Sequence, residues 1–341
     1  MYKEIVLPAE WENQSFLQLT FPHDNSDWKY LLNEVTACFV EIIKTTALFQ
    51  DVLVVCDDIE RVNSFFTSTK NIWFVQVESN DTWARDHGGI TVIEHGDAVI
   101  QDYIFNGWGA KFDATLDRQI TKKLFEKGTV TSCYLKSFDF VLEGGSIDSD
   151  GKGTILTTTE CLLSKNRNEQ FSKSDIENHL KENFGANQIL WLNSGYLAGD
   201  DTDSHIDTLA RFCDAKTIAF VGCENREDEH FEALQQMKKE LQRFTDSKGK
   251  PYKLVELPMP DACFDEDGNR LPATYANFTI INGAVLVPVY GVSQDEKALE
   301  ILHQCFPDRK VIGVNCRVLI EQHGSLHCVT MQYPEKVKLN K

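Results

Sequence analysis

Positive charge is scarce in this chain. Its 34 lysines and arginines stand against 52 aspartates and glutamates, a formal net charge of -18 over 341 residues. Such a surface repels nucleic acid and anionic membrane and draws small cations toward any acidic cleft, so neither macromolecule is expected as a partner. Long apolar runs are missing too: no stretch approaches the roughly 18 apolar residues of a membrane span. The opening MYKEIVLPAEWENQ places Pro8, Glu10 and Glu12 where an export signal needs an uninterrupted apolar core. A soluble, cytoplasmic protein is expected. The ten cysteines include no pair separated by two residues and no cysteine–histidine spacing of a zinc finger. Most read as small buried hydrophobes in a reducing compartment, and neither a metal nor a cofactor is expected.

What is present is enough apolar residue, 42%, to bury a sizeable core. Leu31, Leu32, Val35, Cys38, Phe39, Ile42 and Ile43 recur at the helical period and predict a helix over 28–47. DVLVV (51–55) and IWFVQV (72–77) read as strands, and further helical patterns fall near 115–127, 173–184, 227–243 and 294–304. Helices alternating with strands give an α/β class. A polar stretch running into a strand, a tight turn and a second strand recurs five times, with anchors near 85, 145, 205, 277 and 327. Asp150-Gly151 and Asn282-Gly283 are hairpin dipeptides. The last copy lacks its second strand, which residues 15–21 could supply from the other end of the chain. The pattern predicts a single domain over 1–341, a closed five-module α/β propeller of pseudo-fivefold ββαβ repeats, with no exposed sheet edge. The polar residues that open each repeat would then meet in one pocket.

Those openings carry Trp83, Arg85 and Asp86, then Glu143, then His205 and Asp207, then Asn277, and finally His327 and Cys328. A thiol, an imidazole and carboxylates are what attack on a cationic carbon requires. A planar guanidinium presents five N–H donors in a fixed fork, which carboxylates grip through charge-assisted hydrogen bonds of about 1.5–3 kcal/mol each. Asp86 and Asp207 suit that grip. Cys328 would attack the central carbon, expel ammonia and leave a thiouronium that water hydrolyses. His205 would protonate the leaving ammonia and then activate the water.

With Trp83-Ala84-Arg85-Asp86, Glu143-Gly144-Gly145, Asp200-Asp201-Thr202-Asp203-Ser204-His205-Ile206-Asp207 and His327-Cys328 in this order, the chain resembles the agmatine deiminases of the peptidylarginine deiminase-like, guanidine-modifying enzymes. The match runs from LPAEWENQSFLQLTFPHDNSDW through NRLPATYANFTIINGAVLVPVYG to SLHCVTMQYP. The resemblance implies a five-module α/β propeller, no cofactor, and hydrolysis of agmatine, a small cationic guanidino substrate, to N-carbamoylputrescine and ammonia. It puts Cys328 on the family nucleophile, His205 on the acid/base, and Asp86 and Asp207 on the guanidinium carboxylates. Trp83 would line the site, with Glu143, Asn106 and Trp108 as pocket wall; Asn277 is divided between hairpin support and pocket contact. Gly89 stands where the family usually has proline, and His323-Gly324-Ser325-Leu326 where it has a run of glycines. Arginine or peptidylarginine is the alternative substrate. It would need a cation for its carboxylate, and the FNGWG segment offers only Lys111.

Two other classes stay open. His205 with Asp200, Asp201, Asp203 and Asp207 could ligate a metal, although no second histidine pair supports it and the run lacks the glycine and terminal glutamate of a calcium loop. A polyamine-binding protein without turnover is the other. The oligomeric state is left open, a homodimer being compatible with these readings.

Overall fold

In the computed structural model, which describes residues 5–340, the expected helices are in place. A 3-10 turn over Asp27–Leu31 leads into the helix Leu32–Thr46. Ile120–Glu126, Lys173–Phe184, Phe231–Leu241 and Asp295–Cys305 follow. Lys173–Phe184 shows why such boundaries are legible: Ser172 and Asp175 form a reciprocal capping box, and Gly185 ends the helix at φ 65°.

Each of these helices is a crossover within one sheet. Ile147–Ser149 pairs antiparallel with Thr154–Thr158, which pairs parallel with Gln188–Leu192 beyond the helix. The same order is built by Ala210–Asp214, Thr217–Val221 and Lys253–Leu257, and by Thr279–Ile281, Ala284–Val289 and Lys310–Asn315. Ile90–Glu94, Asp97–Ile104 and Cys133–Val141 form a fourth, extended by Ile5–Val6. The fifth joins the chain ends: Met331–Pro334 pairs antiparallel with Gln14–Thr20, which runs parallel to Asp51–Cys56 and so to Ile72–Gln76. Asn282-Gly283 is a two-residue hairpin loop, with Ile281 opposite Ala284. Asp150-Gly151 opens a longer turn, whose Asp150 carboxylate accepts from the N–H groups of Lys152 and Thr154 at 2.8 Å.

The expectation of a closed propeller is not met. Among the described residues the strands form five small mixed sheets of three or four strands and one antiparallel pair, and none closes on itself. The repeat dictates the strand order inside each unit, but the backbone ladders stop at the outer strands. Contacts between units run through side chains and isolated backbone hydrogen bonds, such as Arg85 N–H to the Cys328 carbonyl at 3.1 Å, for which a strand-by-strand pattern carries no signal.

The core lies where crossover helices cover the sheets. Val35, Phe39, Ile42 and Ile43 of Leu32–Thr46 pack in one cluster with Leu17 and Leu19 of Gln14–Thr20 and with Val285 and Val287 of Ala284–Val289. Among the described residues no helix is long and apolar enough to cross a membrane.

Candidate active site

Cys328 lies in the loop that precedes Met331–Pro334 and is 3% exposed. Its neighbour is Asn277, just before the Thr279–Ile281 strand. The Asn277 carboxamide oxygen accepts from the N–H of His327 at 2.8 Å and from that of Cys328 at 3.4 Å. Its Nδ2 donates to the Asp207 carbonyl at 3.2 Å and lies 3.3 Å from Cys328 Sγ. One side chain thus fixes both the backbone and the sulfur. Asp207 Oδ2 is 3.9 Å from that sulfur.

Asp86 sits in the single turn Ala84–His87 and has both oxygens engaged: Gly145 N–H donates to Oδ1 at 3.0 Å and Trp108 Nε1–H to Oδ2 at 2.9 Å. Trp108 reaches it from a tight turn in which residues 107–110 all have positive φ, Trp108 at 54° and Ala110 at 63°. Left-handed non-glycine residues cost on the order of 1–3 kcal/mol each. Asn106 helps hold this turn by accepting from Gly109 N–H and donating to the Asn166 carbonyl, both at 2.9 Å.

His205 and Asp207 bracket the start of the turn Ile206–Leu209 and are fully buried. Asp203 and Ser204 precede them at φ 64° and 59°. Asp203 is anchored by Arg167 Nη1 at 2.5 Å and Lys111 Nζ at 2.8 Å. The His205 Nδ1 lies 3.6 Å from Asp86 Oδ1, and neither ring nitrogen has a hydrogen-bond partner among the described residues. Gly145 marks how closely the groups converge. A Cβ there would stand 2.6 Å from His205 Nδ1, 2.8 Å from Asp86 Oδ1 and 3.1 Å from Asp207 Oδ2, so only glycine leaves the three groups room.

The family profile of the Porphyromonas-type peptidyl-arginine deiminases matches residues 6–334. The chain belongs to this deiminase family. A Lactococcus lactis relative, provisionally named an agmatine deiminase, is 34% identical over 96% of this chain and 95% of its own. A solved structure from Porphyromonas gingivalis, provisionally named an arginine deiminase, is 48% identical with a TM-score of 0.94, covering 98% of this chain and 99% of its own. The C. jejuni agmatine deiminase, solved as a cysteine-to-serine variant with substrate bound, is 43% identical with a TM-score of 0.92, covering 98% and 97%. The chain is therefore an enzyme acting on guanidino groups.

In this deiminase Cys328 and Asp86 line a pocket together with Trp83, Trp108, Phe112 and the carboxyl groups of Asp27, Asp81 and Asp201, whereas His205 and Asp207 lie behind that lining. Trp83 donates from Nε1 to Asp81 at 3.0 Å and packs against Trp28 and Trp108. Gly324 makes that position available, since a Cβ there would collide with the Trp83 ring. Asn106 is not in this lining, and Glu143 lies behind His205 with both oxygens accepting from Arg167 Nε at 2.8 and 3.0 Å.

Burial pushes the Cys328 thiol well above its usual range, and the Asp207 and Asp86 carboxylates push in the same direction. Asp86 is raised to about 6, chiefly by burial and then by Asp207 and Glu143, against the pull of His205. Burial alone would lower His205, but Asp86, Cys161 and Glu143 outweigh it and raise the imidazole well above its ordinary value. Burial would raise Asp207 too, yet the hydrogen bond and charge of His327 hold it below the usual carboxylate range.

Arg167, Cys161 and Glu10 carry no role in the sequence reading. Arg167 lies in the polar run LSKNRNEQ and only the fold shows that it binds Glu143 and Asp203 together. Glu143, Cys161 and His205 hold potential ligand atoms within 4.8 Å of one another, the one such grouping among the described residues. Both Glu143 oxygens are already taken by Arg167, whose charge opposes a metal ion there.

Proposed function

We propose that this deiminase hydrolyses agmatine to N-carbamoylputrescine and ammonia through a covalent thiouronium on Cys328. The observation that carries the reading is a linked set: Asp207 lies 3.9 Å from the Cys328 sulfur, Asp207, Asp86 and His205 close around Gly145, and Cys328 and Asp86 open onto one acidic pocket. Asp86 and Asp207 take the two sides of the guanidinium. The substrate's positive charge offsets the carboxylates that hold the thiol protonated, so binding itself favours the thiolate. Thiolate attack forms the C–S bond, and the C–N bond breaks with the thiol proton leaving on ammonia by way of His205. Water then adds to the same carbon, the C–S bond breaks, and the thiol is restored as the ureido product forms. The substrate-bound C. jejuni relative was obtained with a cysteine replaced by serine, as expected where a cysteine is required for turnover.

The choice of agmatine rests on the other carboxyl groups that line the pocket. Asp27, Asp81 and Asp201 suit a terminal ammonium, whose charge offsets the burial that raises Asp81 to about 7 and Asp201 above its ordinary range. Lys111, the cation expected to meet a carboxylate, is tied to the Asp201 carbonyl and to Asp203 at 2.8 Å. A second reading, arginine or peptidylarginine, is favoured by the family description and by the name of the P. gingivalis structure. Ureido product from agmatine, arginine and arginyl peptides separates the two. A kcat/KM for arginine equal to or above that for agmatine overturns the substrate, and turnover surviving Cys328→Ala overturns the mechanism.

A further inference from the structure

His327 stands next to the nucleophile but points away from it. Its Nδ1 lies 2.7 Å from Asp207 Oδ2 and its Nε2 3.2 Å from Glu10 Oε2. Glu10 arrives from the N-terminal segment, before the Gln14–Thr20 strand, and is itself fixed on both oxygens. Ile280 N–H donates to Oε1 at 2.7 Å, and Arg211 binds Oε2. Arg211 also reaches Asp148 at 3.3 Å and the Phe278 carbonyl at 2.9 Å. Every member of this chain of groups is buried.

An ionised carboxylate only accepts hydrogen bonds, so a ring flanked by two of them donates from both nitrogens and is an imidazolium. The charges around it point the same way. Arg211 answers Glu10 and Asp148, and a proton on His327 supplies the counter-charge that meets Asp207. Uncompensated charge at such depth costs several kcal/mol. The consequence falls on Asp207. Its Oδ2 is occupied by His327, and its Oδ1, although fully buried, has no partner among the described residues. A buried carboxylate oxygen left open is a costly feature unless a ligand fills it. A second cavity, lined by Glu10, Arg85, Asp148, His327 and Met331, adjoins this group, and neither Cys328 nor Asp86 is in its lining.

We propose that Glu10 and His327 are positioning residues, a buried carboxylate–imidazolium pair that keeps Asp207 ionised and its free oxygen turned toward the guanidinium. The proposal rests on the deiminase reading above for its consequence, but not for its geometry. His327 is then neither base nor nucleophile: it is a fixed counter-charge, and Glu10 secures its second proton.

Nitrogen-15 NMR of histidine-labelled protein reads the pair without turnover, with His327→Gln assigning the signal. Both ring nitrogens of His327 should carry protons at pH 7 in the wild type, and Glu10→Gln should remove one of them at the same pH. In turnover, Glu10→Gln should raise KM for agmatine about tenfold while changing kcat less than about threefold. A singly protonated His327 at pH 7 in the wild type overturns the proposal, whatever the variants do. So does a folded Glu10→Gln protein whose KM is unmoved. Absence of ureido product from wild-type enzyme would instead sink the agmatine reading, leaving the NMR result to decide the pair by itself.

Discussion

Asp86 should be more costly to the empty enzyme when ionised than when neutral, and Asp86→Asn measures that cost. The rise of its pKa from 3.8 to about 6, caused first by burial, corresponds to about 3 kcal/mol in favour of the neutral carboxyl in the folded chain. Because the folded value lies above the unfolded one, that stability is complete below about pH 4 and is lost as the pH rises through about 6. At pH 4.5 the unfolded carboxyl is already largely ionised, so about 2 kcal/mol remains to be lost between pH 4.5 and 7.5. The asparagine variant cannot titrate. Its amide still accepts from Gly145 N–H but faces Trp108 Nε1–H with a donor, a penalty of about 1–3 kcal/mol that is the same at both pH values. Urea unfolding at the two pH values should therefore show the variant gaining about 2 kcal/mol on wild type as the pH rises. Its kcat/KM for agmatine should fall by about 100-fold or more, through loss of charge-assisted bonds of about 1.5–3 kcal/mol each. A stability difference constant within about 0.5 kcal/mol between the two pH values would refute the argument that the site stores ionisation energy for its substrate.

Gly145→Ala should nearly abolish ureido formation and lower stability by about 1–3 kcal/mol, because its methyl group would press 2.6 Å from His205 Nδ1; thermal unfolding and turnover measure both, and retained turnover contradicts the convergence. Alkylation of Cys328 in the empty enzyme should accelerate only above the ordinary thiol range, in line with its raised pKa, and a bound guanidinium inhibitor should move that rise to lower pH. An unchanged or raised apparent pKa on binding counts against activation by the substrate. Arg167→Met leaves Glu143 buried without its cation and should cost about 3–5 kcal/mol in urea unfolding, whereas a loss below about 1 kcal/mol would show that Glu143 finds another partner or a proton.

Strand order within a unit was legible because alternation, hairpin dipeptides and helix caps are local. Asn282-Gly283 shapes a loop that the two residues themselves specify, and Lys173–Phe184 is bounded by its own cap residues. Closure was not legible in that way. Each sheet ends where its own ladder ends, and whether neighbouring units join depends on side chains far apart in sequence. The candidate site divides along the same line. Cys328, His205, Asp86 and Asp207 stand out as reactive types at the openings of repeats, and the fold brings them together. Arg167 and Glu10 are ordinary charged residues in polar runs, and their partners lie up to 317 positions away. Asn106 reads as pocket wall in the sequence because it adjoins Trp108, yet its side chain is spent on the turn.

By itself the sequence determined the alternation of strands and helices and the deiminase family, and it singled out the candidate reactive groups, since each is written in neighbouring residues or in an ordered set of motifs. Only the tertiary structure decided which charges face one another: that Asp86 keeps two hydrogen bonds, that Asp207 keeps an oxygen free, and that His327 is held between two acids. The reason is that charge in a buried site acts through distance and exclusion of water, and neither can be read along a chain before it folds.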